Sequence, residues 1–127
     1  MKKLIAIISL FLLSFNLYAQ SDIEVMKIVA TSYKATGTDD WSVYEPTELR
    51  LIWNTTTGVI EINSRTYQRF TYKSLDVEEY ATFKRLTGYA KDGINRNVII
   101  TFYNLLNTGE RVFLVEYNDV TLRYLIH

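Results

Sequence analysis

The sequence predicts an all-β fold: an antiparallel up-and-down meander of about eight strands that forms a small barrel, closed or partly open. Apolar and polar residues alternate along most of the chain with the period of two that is typical of strands. Residue types that favour strands, such as Val, Ile, Thr, Tyr and Phe, are abundant. Asn, Asp and Gly interrupt the alternating runs at short intervals, and such short connections join antiparallel strands only.

The alternation divides the chain into short strands separated by hairpin loops. Leu49, Leu51 and Trp53, for example, share one strand face. The segment 75–83 is the one place where a short helical turn is an alternative to a strand, and the longest irregular stretch is 36–45. We expect strands near 25–35, 46–53, 58–63, 66–73, 79–90, 97–105, 110–117 and 120–126.

The beginning of the chain has the three regions of a secretory signal peptide. Two lysines and an apolar run are followed by a more polar stretch that ends at Ala19. The run is shorter than the roughly 20 apolar residues that a membrane-spanning helix needs, which disfavours an anchor. We therefore predict a signal peptide over 1–19 and a single β-meander domain over 20–127. Export would place the protein in the periplasm or outside the cell, with no integral membrane segment after signal removal.

The composition excludes several classes of function. The chain has no Cys and one His, His127, so disulfides, thiolate nucleophiles and Cys/His zinc sites are ruled out. The 14 basic and 14 acidic residues balance, which argues against a nucleic-acid partner, because such a partner needs a concentrated basic surface. No Ser or Thr has a plausible general base. We therefore expect no catalytic residue, no metal site, no cofactor and no enzymatic activity.

The longest irregular stretch carries the best binding candidates, which are Trp41, Tyr44 and Glu45. Exposed aromatic side chains in a loop at the mouth of a rigid barrel can stack on a sugar, a peptide or an apolar ligand. In the alternative interpretation, Trp41 folds back to plug one end of the barrel, while Glu45 and Pro46 set the entry into the next strand.

Two further patterns have both a functional and a structural interpretation. The tyrosines occur in nearly every predicted strand, where they line a ligand cavity or act as cross-strand packing partners. The segment 92–97 begins at Asp92 and has oxygen ligands that are reminiscent of a calcium loop. It lacks the terminal glutamate of such a loop, so an ordinary hairpin turn is favoured.

One segment carries a family resemblance. The residues WSVYEP at 41–46 are followed by an alternating strand, an Asn-rich turn and a second strand, and the signal ends in LYAQ at 17–20. In these features the chain resembles small exported β-meander proteins of Bacteroidota that are described as lipocalin-like in shape. The resemblance implies export and a lipocalin-like barrel, and since many of these proteins have no known function, it implies no activity.

Two function hypotheses follow from these observations. The first is a small non-enzymatic binding module whose barrel interior or loop end holds a small apolar or aromatic ligand. The second is a protein-interaction module, such as an inhibitor or an accessory subunit of an envelope complex, that uses a sheet face or a loop end. The contents of the barrel interior distinguish the two hypotheses. Eight strands enclose a space that is either filled by side chains or holds one small ligand.

Overall fold

The computed structural model describes residues 22–127, which confirm the all-β prediction. The expected signal peptide lies outside these residues. The nine strands are β1 (Ile23–Ala35), β2 (Glu45–Asn54), β3 (Val59–Asn63), β4 (Gln68–Tyr72), β5 (Asp76–Glu79), β6 (Phe83–Lys91), β7 (Asn97–Leu105), β8 (Arg111–Glu116) and β9 (Val120–Ile126).

The strands form one antiparallel sheet that closes on itself. Their order is β4-β3-β2-β1-β9-β8-β7-β6-β5, and an additional pairing between β4 and β6 completes an eight-stranded barrel. The closing pairing is short: it joins Thr71 to Lys91 and Tyr72 to Ala90. β5 is the ninth strand, outside the barrel count. It pairs with residues 84–87 of β6, on the same edge of β6 that β4 contacts at residues 90–91.

β5 replaces the helical turn that the sequence allowed within 75–83. It forms a hairpin with β6, in which the backbone N–H of Tyr80 donates to the carbonyl oxygen of Phe83 (2.8 Å). The following strand consequently begins at 83 rather than near 79. All four residues of β5 are exposed, and three of them are acidic, a composition that discourages edge-to-edge aggregation.

Large apolar side chains fill the central section of the barrel. Trp53 stacks on Phe102 with ring centres 4.5 Å apart, and Phe102 is equally close to Phe113. Phe70 meets Phe113 edge-on at 6.1 Å. The indole N–H of Trp53 donates to the hydroxyl of Tyr72 (2.9 Å), so its polar atom is satisfied within this core. The lumen at this level is therefore a packed core.

A β-bulge in β1 reverses which alternate residues of that strand face the barrel interior. Ile28 pairs with Ile126 in the interior, and the register then shifts before Ala30 pairs with Leu125. Since Leu125 lies on the outer face of β9, Ala30 and the next alternate residue, Ser32, also face outward. Both are nonetheless buried, so other side chains must cover them on the outside of the barrel.

Gly88 allows the chain to switch from β4 to β5. A Cβ atom at this position would lie 2.6 Å from the carbonyl oxygen of Ser74 and 2.7 Å from Cδ2 of Leu75. Leu75 packs against the interior core. Glycine is thus needed here because the crossing segment lies directly against the β6 backbone.

Candidate functional site

The loop that carries the predicted binding residues runs along the edge of β1. β2 pairs with β1 only as far as Glu45, opposite Thr31. Beyond that point the loop takes its place: the backbone N–H of Ser42 donates to the carbonyl oxygen of Tyr33 (2.8 Å), and the N–H of Tyr33 donates to the Ser42 hydroxyl (2.9 Å). These hydrogen bonds fix the loop against the barrel wall.

Arg123 of β9 organises the aromatic side chains of this loop. Its guanidinium carbon lies 4.0 Å from the ring centre of Trp41 and 4.5 Å from that of Tyr44. Its Nε–H donates to the hydroxyl of Ser32 (2.8 Å), and the ammonium of Lys34 lies 4.9 Å from the Trp41 ring. We call Trp41, Tyr44 and Arg123 the cation–π cluster.

The structure places Trp41 on the outer wall rather than at an open end of the barrel. Arg123 points away from the core, because its neighbour Tyr124 is buried inside. Trp41 is half-buried against it, while Tyr44 remains 38% exposed. Glu45 is exposed at the first position of β2. Trp41 and Tyr44 therefore share a site, and ligand binding by the three predicted residues remains a prediction.

Burial also affects the pKa of the Tyr44 phenol in this cluster. Partial burial raises the pKa of Tyr44 above its ordinary value, and the negative charge of Glu110 acts in the same direction. The positive charge of Arg123 acts in the opposite direction and offsets part of the effect. Tyr44 is therefore neutral at physiological pH and available as a hydrogen-bond donor.

A shallow apolar surface lies beside the cation–π cluster on the outside of β7, β8 and β9. The cross-strand pairs place its side chains on one face. Two of them, Thr101 and Val112, are only 9% exposed although they face outward. We call this surface the outer floor; it consists of Thr101, Val112, Leu114 and Leu125.

A second aromatic group borders the outer floor on the side away from the loop. The rings of Tyr80 and Phe83 are 4.6 Å apart, and those of Phe83 and Tyr103 are 5.9 Å apart. The guanidinium of Arg85 lies 6.0 Å from the Tyr80 and Tyr103 rings, and it forms an ion pair with Glu78. The outer floor is thus bordered on both sides by aromatic residues and an arginine.

The tyrosines of residues 22–127 do not line one common ligand cavity. Tyr72 and Tyr124 take part in interior packing, and the Tyr124 hydroxyl donates to the side-chain oxygen of Gln68 (3.0 Å). Tyr103 packs on the outer wall, and Tyr89 is 81% exposed. Tyr72, Tyr103 and Tyr124 therefore fit the packing interpretation, whereas Tyr89 is free to contact a ligand.

The segment at Asp92 is a hairpin turn in which the carboxylate binds protein donors. One oxygen accepts from the backbone N–H groups of Ile94 (3.1 Å) and Arg96 (2.8 Å). The other accepts from Nε of Arg96 (2.8 Å) and from the Tyr117 hydroxyl (3.1 Å). Asn95 adopts a left-handed conformation with φ of 69°, as turns of this kind require. The carboxylate joins two hairpins, β6–β7 and β8–β9.

Residues 22–127 contain no group of three His, Cys, Asp or Glu side chains arranged to hold a metal ion. No helix in the same part of the chain has the length and apolar character needed to cross a bilayer. No family model, curated protein or solved structure matches the sequence.

Proposed function

We propose that this chain is an exported, non-enzymatic protein-interaction module that binds its partner on the outer wall of the barrel. The packed central section of the barrel interior supports the protein-interaction hypothesis over the small-ligand hypothesis. Trp53, Phe102 and Phe113 occupy the space in which a small ligand would lie, so the outer surface is the better binding candidate.

The composition of the outer wall supports a protein partner. Trp, Tyr and Arg are the residue types that dominate the hot spots of protein interfaces, and the cation–π cluster contains one of each. Beside it, Val43 is 81% exposed. Leu114 and Leu125 of the outer floor are half-buried and add apolar surface that a partner would desolvate, and the flanking arginines supply a polar rim.

Site-specific photocrosslinking tests this proposal. A benzoylphenylalanine residue replaces Val43 in one variant and, as a matched control, Tyr67 in another, since Tyr67 is exposed (57%) in the β3–β4 loop. Irradiation of producing cells should yield a covalent protein adduct from position 43 alone. Adducts of equal yield from both positions, or from neither, would contradict a partner that docks on the outer wall.

A charge on the outer floor provides a second test. Leu114 is half-buried on this surface, and Leu114→Glu should abolish the adduct from position 43 because it places a charge at the desolvated centre. Thr71→Glu, on an exposed position of β4, is the control and should leave the adduct unchanged. Melting curves of both variants establish that each is folded.

A further inference from the structure

An open cleft lies where the barrel closes, across β6 from the outer floor. It forms because the chain leaves β4 after Tyr72 and joins β6 again at Asp76, with Gly88 at the crossing. The cleft has a volume of about 570 Å³, which is within the usual range for small-ligand sites of roughly 300–1,000 Å³.

One wall of this cleft is an unusually exposed aromatic side chain, and two lysines belong to the same lining. Tyr89 is 81% exposed and lines the cleft together with Lys73 and Lys91. Lys73 follows the residue that pairs with Ala90, which places it across the closure from Tyr89. Within residues 22–127 neither lysine belongs to an ion pair, so both charges are available to a ligand.

The remaining lining is rich in hydrogen-bonding groups. Asp76 and Asn97 line the cleft together with Ser74 and Thr87. A carboxylate such as that of Asp76 accepts hydrogen bonds from ligand hydroxyls and repels ligand anions. The cleft therefore combines an aromatic face, two cations and acceptors for hydroxyl donors.

We infer that this cleft binds an acidic sugar, namely a uronic acid residue. Such a sugar has an apolar C–H face for the Tyr89 ring, a carboxylate for Lys73 and Lys91, and hydroxyls that donate to Asp76 and Asn97. An acidic peptide such as oligoglutamate satisfies the lysines, and its backbone N–H groups can donate to Asp76, but it has no apolar C–H ring face for the Tyr89 ring. This inference concerns a different surface from the proposed protein interface and does not depend on it.

Titration calorimetry with a galacturonate trisaccharide tests the inference. The protein should bind this probe more tightly than the neutral galactose trisaccharide, and added salt should weaken the difference. Tyr89→Ala should reduce the affinity about tenfold, because it removes the stacking face. Tyr33→Ala, at a tyrosine that is 58% exposed away from the cleft, should leave the affinity unchanged.

Lys73→Gln/Lys91→Gln should remove the preference for the acidic over the neutral trisaccharide. All these positions are exposed, so the variants should keep the melting temperature of the parent protein. The inference is overturned if the acidic trisaccharide does not bind, or if Tyr89→Ala binds it as well as the parent. Equal binding of oligoglutamate with the same Tyr89 dependence would identify an acidic peptide instead and would likewise overturn it.

Discussion

Arg123 in the last strand and Trp41 in the first loop form the shortest cation–π pair among residues 22–127, with 4.0 Å between the guanidinium carbon and the ring centre. The same guanidinium donates to buried Ser32. The pair joins the loop to the outside of the barrel and covers the part of β1 that the bulge turns outward. It therefore has a structural role in addition to the binding role that we propose.

A double-mutant cycle measures this structural role. Trp41→Ala should destabilise the protein by about 1–3 kcal/mol, less than a fully buried aromatic residue, because the side chain is half-buried. The coupling energy between Trp41→Ala and Arg123→Ala should be about 0.5–2 kcal/mol, as expected for a partly desolvated cation–π pair. Denaturant unfolding of the four proteins checks both values, and strictly additive effects would contradict a direct interaction.

Two glycines with nearly the same positive φ should respond differently to substitution. Gly58 (φ 73°) and Gly109 (φ 74°) both lie in the left-handed region, where an L side chain costs about 1–2 kcal/mol. A Cβ at Gly58 would also collide with the carbonyl oxygen of Tyr72, whereas the space beside Gly109 is open. Gly58→Ala should therefore lower the free energy of unfolding by clearly more than Gly109→Ala, and equal losses in denaturant melts would disprove the collision.

Asp92 should make stability depend on acidic pH. Burial alone would raise its pKa, but the hydrogen bonds from Arg96, Ile94 and Tyr117 outweigh burial and lower the pKa below its ordinary value. The ionised form is thus favoured in the folded state, so its contribution is present above the unfolded-state pKa and is lost as pH falls through the folded-state pKa. Asp92→Asn should be less stable at neutral pH by about 1–3 kcal/mol.

The pH dependence of the two proteins completes that test. Urea melts at a series of acidic pH values should show the stabilities of parent and Asp92→Asn converging as the pH falls. A constant difference down to the lowest pH would show that the charge of Asp92 has no role.

Tyr117 should produce a separate loss of stability in alkali. Burial, together with its hydrogen bond to Asp92, raises the pKa of Tyr117 from 10.0 to about 12. The folded state therefore holds this proton after the unfolded chain has released it, and the contribution of Tyr117 is lost as pH rises from 10 to about 12. Melts of Tyr117→Phe should lack this component, and Tyr33→Phe, at another exposed tyrosine, serves as the control.

The expected signal peptide gives a prediction that requires no variant. N-terminal sequencing of the exported protein should begin within two residues of Gln20, because Ala19 ends the polar part of the signal pattern. Recovery of the mature protein with Met1 intact would contradict the proposed export.

The sequence predicts most strands well because alternation is a local signal. The strand expected over 97–105 is β7, and that over 46–53 differs from β2 by one residue at each end. The sequence does not predict β5 as a separate strand, since its four residues are exposed on both faces and show no alternation. Its position depends on pairing with β6, which is information from the tertiary structure.

The candidate site was predicted only in part, for a similar reason. Trp41 and Tyr44 stand out as aromatic residues in a long loop, whereas Arg123 looks like any polar residue on the outer face of a strand. Arg123 also donates to Ser32, which faces outward because of the bulge near Ala30, and nothing in the local sequence indicates that bulge. Cation–π pairs between distant segments leave no periodic pattern, so sequence periodicity does not reveal them.

The pairing of the first strand with the last determines when the barrel can be completed. β1 lies between β2 and β9, so Ile28 meets Ile126 only after the whole chain is available. Closing so long a loop is entropically costly and slows folding. A growing chain consequently keeps one edge of β1 unpaired until β9 has been synthesised, and truncation before β9 would leave unpaired edges on β1 and β8 that can pair with other chains.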